Sequence, residues 1–273
     1  MKRMNKRSAH RNLMVLCLMA GLMILAAVPA GAASKKTVYV ISKLTLKYDG
    51  QSHSNSQNFS YNSNGLVTGY KGSIEIAKIP NTSSAKGTFF YSEKNNTSRT
   101  ELRAESGLTS YYTYTWKKGK VKTGSSVLTG GMFSHTYASN KKKKVTSVKT
   151  TGGYSNQSLL FGYDSKGRLS SISKDTKTNA IYTISYDKKG YPKKIAGAPG
   201  YYSMTLANTY KNKQLSKITG TPDNGGLGWT CSVKLKKMSV PSDYAAVITG
   251  QQRQILLTYV CRLPLETVPM GGI

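Results

Sequence analysis

Negative charge is what this chain has least of: 11 Asp and Glu stand against 40 Lys and Arg in 273 residues, a formal net charge of +29. That balance disfavours cationic partners and attracts polyanions at a distance, while leaving the fold open. Cysteine and histidine are equally scarce, three of each. A disulfide-dense scaffold and a Cys/His metal framework are both excluded. The sequence holds no H-E-x-x-H, G-x-S-x-G or P-loop motif, so the enzyme classes those motifs serve lose their support. No stretch sustains i, i+3, i+4, i+7 apolar spacing behind a cap, which argues against a helical bundle.

A long apolar run occurs once, inside the first 32 residues. A basic segment, "MKRMNKRSAHRN", precedes the apolar "LMVLCLMAGLMILAAV" and the small triplet Ala30, Gly31, Ala32. The order is that of a secretory signal peptide, 1–32, and predicts an exported protein with no transmembrane segment after cleavage. Cys17 lies within it, leaving Cys231 and Cys261. In an exported chain these read either as a disulfide or as two separate buried thiols.

What is abundant is tyrosine, 19 residues, and it recurs in a frame. "FGYDSKGRLSSIS" at 161–173, "ISYDKKGYPKKIA" at 184–196 and "NTYKNKQLSKITG" at 208–220 share one pattern. Tyr61, Tyr91, Tyr114, Tyr137, Tyr163, Tyr186 and Tyr210 mark a series with a period of about 23 residues, room for two strands and two turns. Upstream of each turn, β-formers alternate, as in Tyr182, Ile184 and Tyr186. At the turn, Asp187 suits the first position and Gly190 supplies positive φ. Leu169 and Ile172 lie three apart and face opposite sides of a strand unless a bulge intervenes, so both sheet faces are expected to bury something. The fold expected is all-β: an antiparallel meander of about seven hairpins over 33–220, forming a curled or partly closed sheet. Residues 221–273 are expected to be an atypical C-terminal capping segment. Within it "TCSVKLKKM" and "QILLTYVCRL" read as strands and "PMGGI" as a loose end.

The frames "YDSKGRL" and "YDKKGY" resemble the YD repeat of the Rhs family. The resemblance implies an exported or surface-exposed hairpin array, in some members a large shell around a toxin and in others a wall-associated protein. The Asp is replaced by Asn62, Thr115, Ala138 and Lys211, and no toxin domain follows.

Two candidate surfaces come from the repetition. Tyrosines on successive hairpins stack into a ladder that packs as core or faces a sugar. Lysines recur beside the same turn: Lys117, Lys118 and Lys120; Lys141, Lys142, Lys143 and Lys144; Lys166 with Arg168; Lys188 and Lys189; Lys211 and Lys213. Stacked in register, they line one rim able to track a polyanion. Equally, Lys is an ordinary soluble turn residue and a guard of sheet edges. Catalysis has little to work with. His53 and His135 lack metal-ligand spacing, Asp49, Asp164 and Asp187 read as turn residues, and Glu101 with Glu105 lacks a visible cleft. Residues 263–267, "LPLET", resemble a sortase signal but lack its fourth-place Thr and apolar anchor.

The sequence therefore predicts a secreted or surface-associated bacterial protein that is not an enzyme, with no cofactor and no metal. Its rim binds an anionic cell-wall or envelope polymer. The alternative is a module that binds another surface protein or a glycan through tyrosines. A dedicated nucleic-acid partner is not expected, because no recognition motif accompanies the charge.

Overall fold

The computed structural model describes residues 34–52, 54–73, 84–92, 96–104, 107, 109–128, 131–152, 156–176 and 180–273. The signal-peptide reading of 1–32 lies outside them, as do His53 and Glu105. Sixteen strands follow in chain order: β1 (Lys35–Tyr48), β2 (Asn55–Tyr61), β3 (Val67–Gly72), β4 (Ala85–Tyr91), β5 (Thr97–Ala104), β6 (Thr109–Lys117), β7 (Lys120–Leu128) and β8 (Gly131–Ser139). They continue with β9 (Val145–Thr151), β10 (Gln157–Tyr163), β11 (Leu169–Lys174), β12 (Ala180–Tyr186), β13 (Pro192–Gly197), β14 (Met204–Lys211), β15 (Gln214–Pro222) and β16 (Trp229–Pro241).

Each strand pairs antiparallel with the next, and β16 returns to β1 along a ladder from Lys35 opposite Pro241 to Tyr48 opposite Trp229. The sheet is therefore a closed barrel of sixteen strands. This corrects the expected curled or partly closed meander of seven hairpins: a sheet whose two edge strands pair over their full length has no edge left to curl. The hairpins that the Rhs resemblance implies are present, but as the wall of a closed barrel and not as an Rhs repeat. Of residues 221–273, Trp229–Pro241 supplies the closing strand.

Inward and outward residues alternate with the pleat. In β12, Tyr182 and Ile184 are buried while Thr183 and Ser185 are exposed. Where the alternation breaks, a bulge explains it. Gly162 pairs with Ser171 and Tyr163 with Leu169, leaving Ser170 unpaired, so Leu169 and Ile172 both reach the interior. The same slip recurs at Tyr61, Tyr91, Trp116, Ser139, Tyr186 and Tyr210. The true repeat frame thus runs through Trp116 and Ser139, two residues beyond Tyr114 and Tyr137.

A sixteen-stranded barrel is too wide for its own side chains to fill, and the end of the chain fills this one. Helix α1 (Ala245–Ile255) runs into a π-helical turn, Leu256–Val260, and the tail folds back inside. Ile255, Leu256, Leu257, Leu263, Leu265 and Ile273 are buried against the inward face of the wall. Each such aliphatic side chain contributes about 1.5–3 kcal/mol relative to exposure. The expectations of a strand in "QILLTYVCRL" and of a loose end in "PMGGI" are corrected: the first is helical, and Met270 and Ile273 are buried. The "LPLET" segment lies within this interior stretch. Cys231 and Cys261 are both free and buried, so the disulfide alternative falls. Burial pushes the Cys231 thiol up to about 12.

The wall has the polarity opposite to that of a lipid-facing barrel, whose outward band is apolar. Lys47, Lys71, Lys86, Lys149, Lys194, Lys217 and Lys236 are exposed on the strands, and large exposed apolar side chains are few among the described residues, Met132 and Leu227 the most exposed of them. No helix among the described residues is long and apolar enough to cross a membrane.

Candidate functional site

Because consecutive strands alternate in direction, the connections leaving β2, β4, β6, β8, β10, β12 and β14 meet at one end of the barrel. Two kinds of turn build this rim. Asn62, Asn140, Asp164 and Asp187 each accept from the backbone N–H four residues on, at 2.8–3.0 Å, and close a turn completed by a residue of positive φ. That residue is Gly65, Lys143, Gly167 and Gly190 in turn order. Between β6 and β7, and between β14 and β15, two-residue turns place Lys118 with Gly119, and Asn212 with Lys213, at positive φ throughout.

Every one of the lysines and arginines singled out in the sequence stands at this rim. They divide by what they touch. Lys144 Nζ donates to the Gly167 carbonyl at 2.6 Å and lies 5.3 Å from the centre of the Tyr163 ring. Arg168 pairs with Asp164 at 2.7 Å and covers the Tyr186 ring at 4.4 Å. Lys189 covers Tyr210 at 3.7 Å and reaches the Lys213 carbonyl at 3.3 Å. These three stitch one turn to the next. Lys117, Lys118, Lys141, Lys142, Lys143, Lys166, Lys188, Lys211 and Lys213 are exposed, and Lys120 is half-buried.

Between the rim turns and α1 opens a cleft of about 870 Å³. Lys118, Lys142, Lys143, Lys144, Lys166 and Arg253 line it, with Asp243 as the acidic side chain and the terminal Ile273 among its other lining residues. Burial first, and then the nearby Arg253 charge, hold Lys144 below the usual lysine range. Burial also works against the charge of Arg253, whose buried Nε has no hydrogen-bond partner among the described residues. Cations kept in a partly dry cleft with so little opposing charge raise the local affinity for anions. Lys188, Lys189, Lys211 and Lys213 stand farther round the rim and do not reach the cleft lining. Sequence reasoning missed Arg253, because the helix that carries it was not recognised.

The tyrosines do structural work. Tyr61, Tyr91, Tyr163 and Tyr186 donate to the backbone carbonyls of Ile41, Val67, Val145 and Leu169 at 2.5–2.7 Å, and Trp116 Nε1 donates to Thr97 at 2.8 Å. In this frame Tyr210 differs, donating instead to the Asp187 carboxylate. Tyr114 and Tyr137 are buried inside the barrel. Glu101 is held by Arg103 at 2.7 Å and Arg99 at 3.7 Å. His135, buried, lies between Ser126 Oγ at 2.9 Å and Thr150 Oγ1 at 3.0 Å.

No family model and no curated protein matches the chain. Among solved structures it is similar to a porin-like protein from Bacteroides uniformis, at 17% identity and a TM-score of 0.48, over 72% of this chain and 96% of that one. It is similar to a porin-like protein from Bacteroides vulgatus at 11% identity and a TM-score of 0.36, over 71% and 97%. A TcdB2-TccC3-Cdc42 structure matches at 12% identity and a TM-score of 0.31, over 67% of this chain and 10% of that one. The chain spans about a tenth of the length of that last protein.

Proposed function

We propose that this protein is an exported, non-enzymatic β-barrel of a bacterial surface that binds an anionic wall or envelope polymer through its hairpin rim, with the end cleft as the tightest contact. Its YD-type frames, similar in sequence to those of the Rhs family, serve here as the hairpins that build the rim. The observation that carries the reading is backbone strain. Lys118 and Lys143 hold left-handed backbone, φ 51° and 65°, and both line the cleft. Where Lys143 stands, equivalent turns place Gly65, Gly167 and Gly190. A lysine there costs about 1–2 kcal/mol that glycine avoids, and strain of this kind is retained at functional positions. Glu101, Asp164 and Asp187, engaged in ion pairs and turns, and a histidine sealed in the wall support a binding rather than a catalytic role.

The test is binding to purified polyglycerol-phosphate wall polymer across a salt series. Lys118, Lys142 and Lys143 changed together to Gln are expected to lower affinity at low salt and flatten the salt dependence by about two, at roughly 0.7 per lost contact. An unchanged affinity and slope in this triple variant would overturn the rim as the binding surface.

A further inference from the structure

Away from the rim, the strand register assembles a second cationic surface on the barrel wall. Lys234 of β16 stands directly opposite Lys43 of β1, Lys43 opposite Asn58 of β2, and Asn58 opposite Lys71 of β3. Lys71 is in turn opposite Lys86 of β4, and Lys86 opposite Arg103 of β5. All six point outward: Lys43 is half-buried and the others are exposed. Neighbouring strands lie about 4.8 Å apart, so five cations and one amide form a row of roughly 24 Å around the wall. The row is separate from the rim. Asn58 sits four residues before the turn at 62–65, roughly 13 Å along the strand.

Like charges directly opposite one another destabilise a sheet. Here Lys43 faces Lys234, Lys71 faces Lys86, and Lys86 faces Arg103. Of the five, Arg103 has an ion partner among the described residues, Glu101 at 2.7 Å. Solubility alone explains scattered lysines; it does not explain their alignment in one register across six strands. The row also follows a convex wall. A flat or rigid anionic surface would touch it along one tangent, whereas a flexible chain can bend round it and meet each charge.

We infer that this row is a second binding surface, and that its ligand is a flexible, closely charged phosphoryl chain lying across the strands. The close spacing of the cations matches a chain with a charge on every repeat rather than one with a charge on every second sugar. This surface does not depend on the rim, and it stands or falls by itself.

The experiment uses the full barrel and long-chain inorganic polyphosphate as probe, with hyaluronan as the sparsely charged, carboxylate-bearing comparison. Three triple variants are measured over a salt series. The wall set is Lys43→Gln, Lys71→Gln and Lys86→Gln. The rim set is Lys118→Gln, Lys142→Gln and Lys166→Gln. The control set is Lys149→Gln, Lys174→Gln and Lys217→Gln, three exposed lysines outside both surfaces. The wall set is expected to lose about tenfold or more in affinity for polyphosphate at low salt, with the salt slope reduced by about two. The control set is expected to lose much less. The urea midpoint of the wall set should hold or rise, because opposed like charges have been removed, and so a loss of binding is not a loss of fold. Equal losses in wall and control sets would overturn the row in favour of bulk charge. Hyaluronan bound as tightly as polyphosphate would overturn the phosphoryl assignment. A loss confined to the rim set would overturn the wall row while leaving the rim intact, and a loss confined to the wall set would do the reverse.

Discussion

The hydroxyl of Tyr163 donates to the carbonyl of Val145, at 2.5 Å, across the strands of two successive hairpins. Val145 is the residue that emerges from the preceding rim turn, and the ladder between β9 and β10 stops short of it, at Ser147 opposite Leu160. The tyrosine therefore repairs, in the next hairpin, a backbone acceptor that the last turn left open. Tyr163→Phe is expected to destabilise the barrel by about 1–2 kcal/mol, the cost of leaving that acceptor unpaired. Tyr186→Phe should cost a similar amount through Leu169. Tyr39, 45% exposed, is the control, and its change to Phe should leave the urea midpoint in place. Midpoints that coincide for all three variants would contradict the role of the ladder.

Turn strain gives a prediction of opposite sign. Lys143→Gly relieves a left-handed lysine at φ 65° and should stabilise by up to about 1 kcal/mol, net of the entropy a glycine adds to the unfolded chain. Gly190→Val, at φ +86°, should destabilise by about 1 kcal/mol or more. Thermal melts of both variants check the pair. If Lys143→Gly also weakens polymer binding, stability and function pull against each other at one residue.

Much of the rim was legible because its signals are local. Asp164 and Asp187 followed three residues later by glycine specify a turn whatever lies around them, and the rim lysines ride on those turns. The frame slipped at Tyr114 and Tyr137 because they lie two residues before Trp116 and Ser139. Residues two apart share a strand face, so periodicity alone does not separate them. Closure was hidden for a different reason. Lys35 finds Pro241 from the other end of the chain, and no local pattern records so distant a pairing. The helix was hidden by Gln251 and Gln254, which are buried and interrupt the apolar stripe by which a helix is recognised. With the helix went Arg253 and one side of the cleft. The wall row depends on register between six strands, which a sequence read one hairpin at a time does not contain.

Acid should weaken the fold through His135. Burial holds its pKa below the ordinary 6.5. The unfolded chain then binds the proton more readily than the folded one, so stability falls as pH drops through the ordinary value and levels once the lower folded value is passed. This component begins above the region where the turn carboxylates Asp164 and Asp187, held below 3.8 against the opposing effect of burial by hydrogen bonds to their charged forms, protonate. Denaturant midpoints between pH 7 and 5 should decline in the native protein. His135→Gln keeps a donor and an acceptor without a titrating group, and its decline over that window should be smaller. Parallel profiles for the two proteins would assign the decline elsewhere.

The helix that fills the barrel is fixed to the wall by glutamine rather than by shape alone. Gln251 is fully buried; its Oε1 accepts from the Val67 backbone N–H at 3.1 Å and its Nε2 donates to the Tyr91 hydroxyl at 2.8 Å. Gln254 does the same for the returning tail, accepting from Gly271 N–H at 2.6 Å and donating to the Val268 carbonyl at 3.2 Å. Gln251→Leu keeps the volume but leaves the Val67 N–H without its glutamine acceptor inside an apolar interior, at a cost of about 1–3 kcal/mol. Gln251→Glu should cost more at neutral pH, since it places an unpaired charge there, and should recover in part on acidification as that charge is lost. Gln254→Leu should act on the tail, so amide exchange at Gly271 and Gly272 should speed up more than exchange in β1 or β16. If both leucine variants fold and exchange as the native protein does, the helix is held by packing alone and the glutamines are incidental.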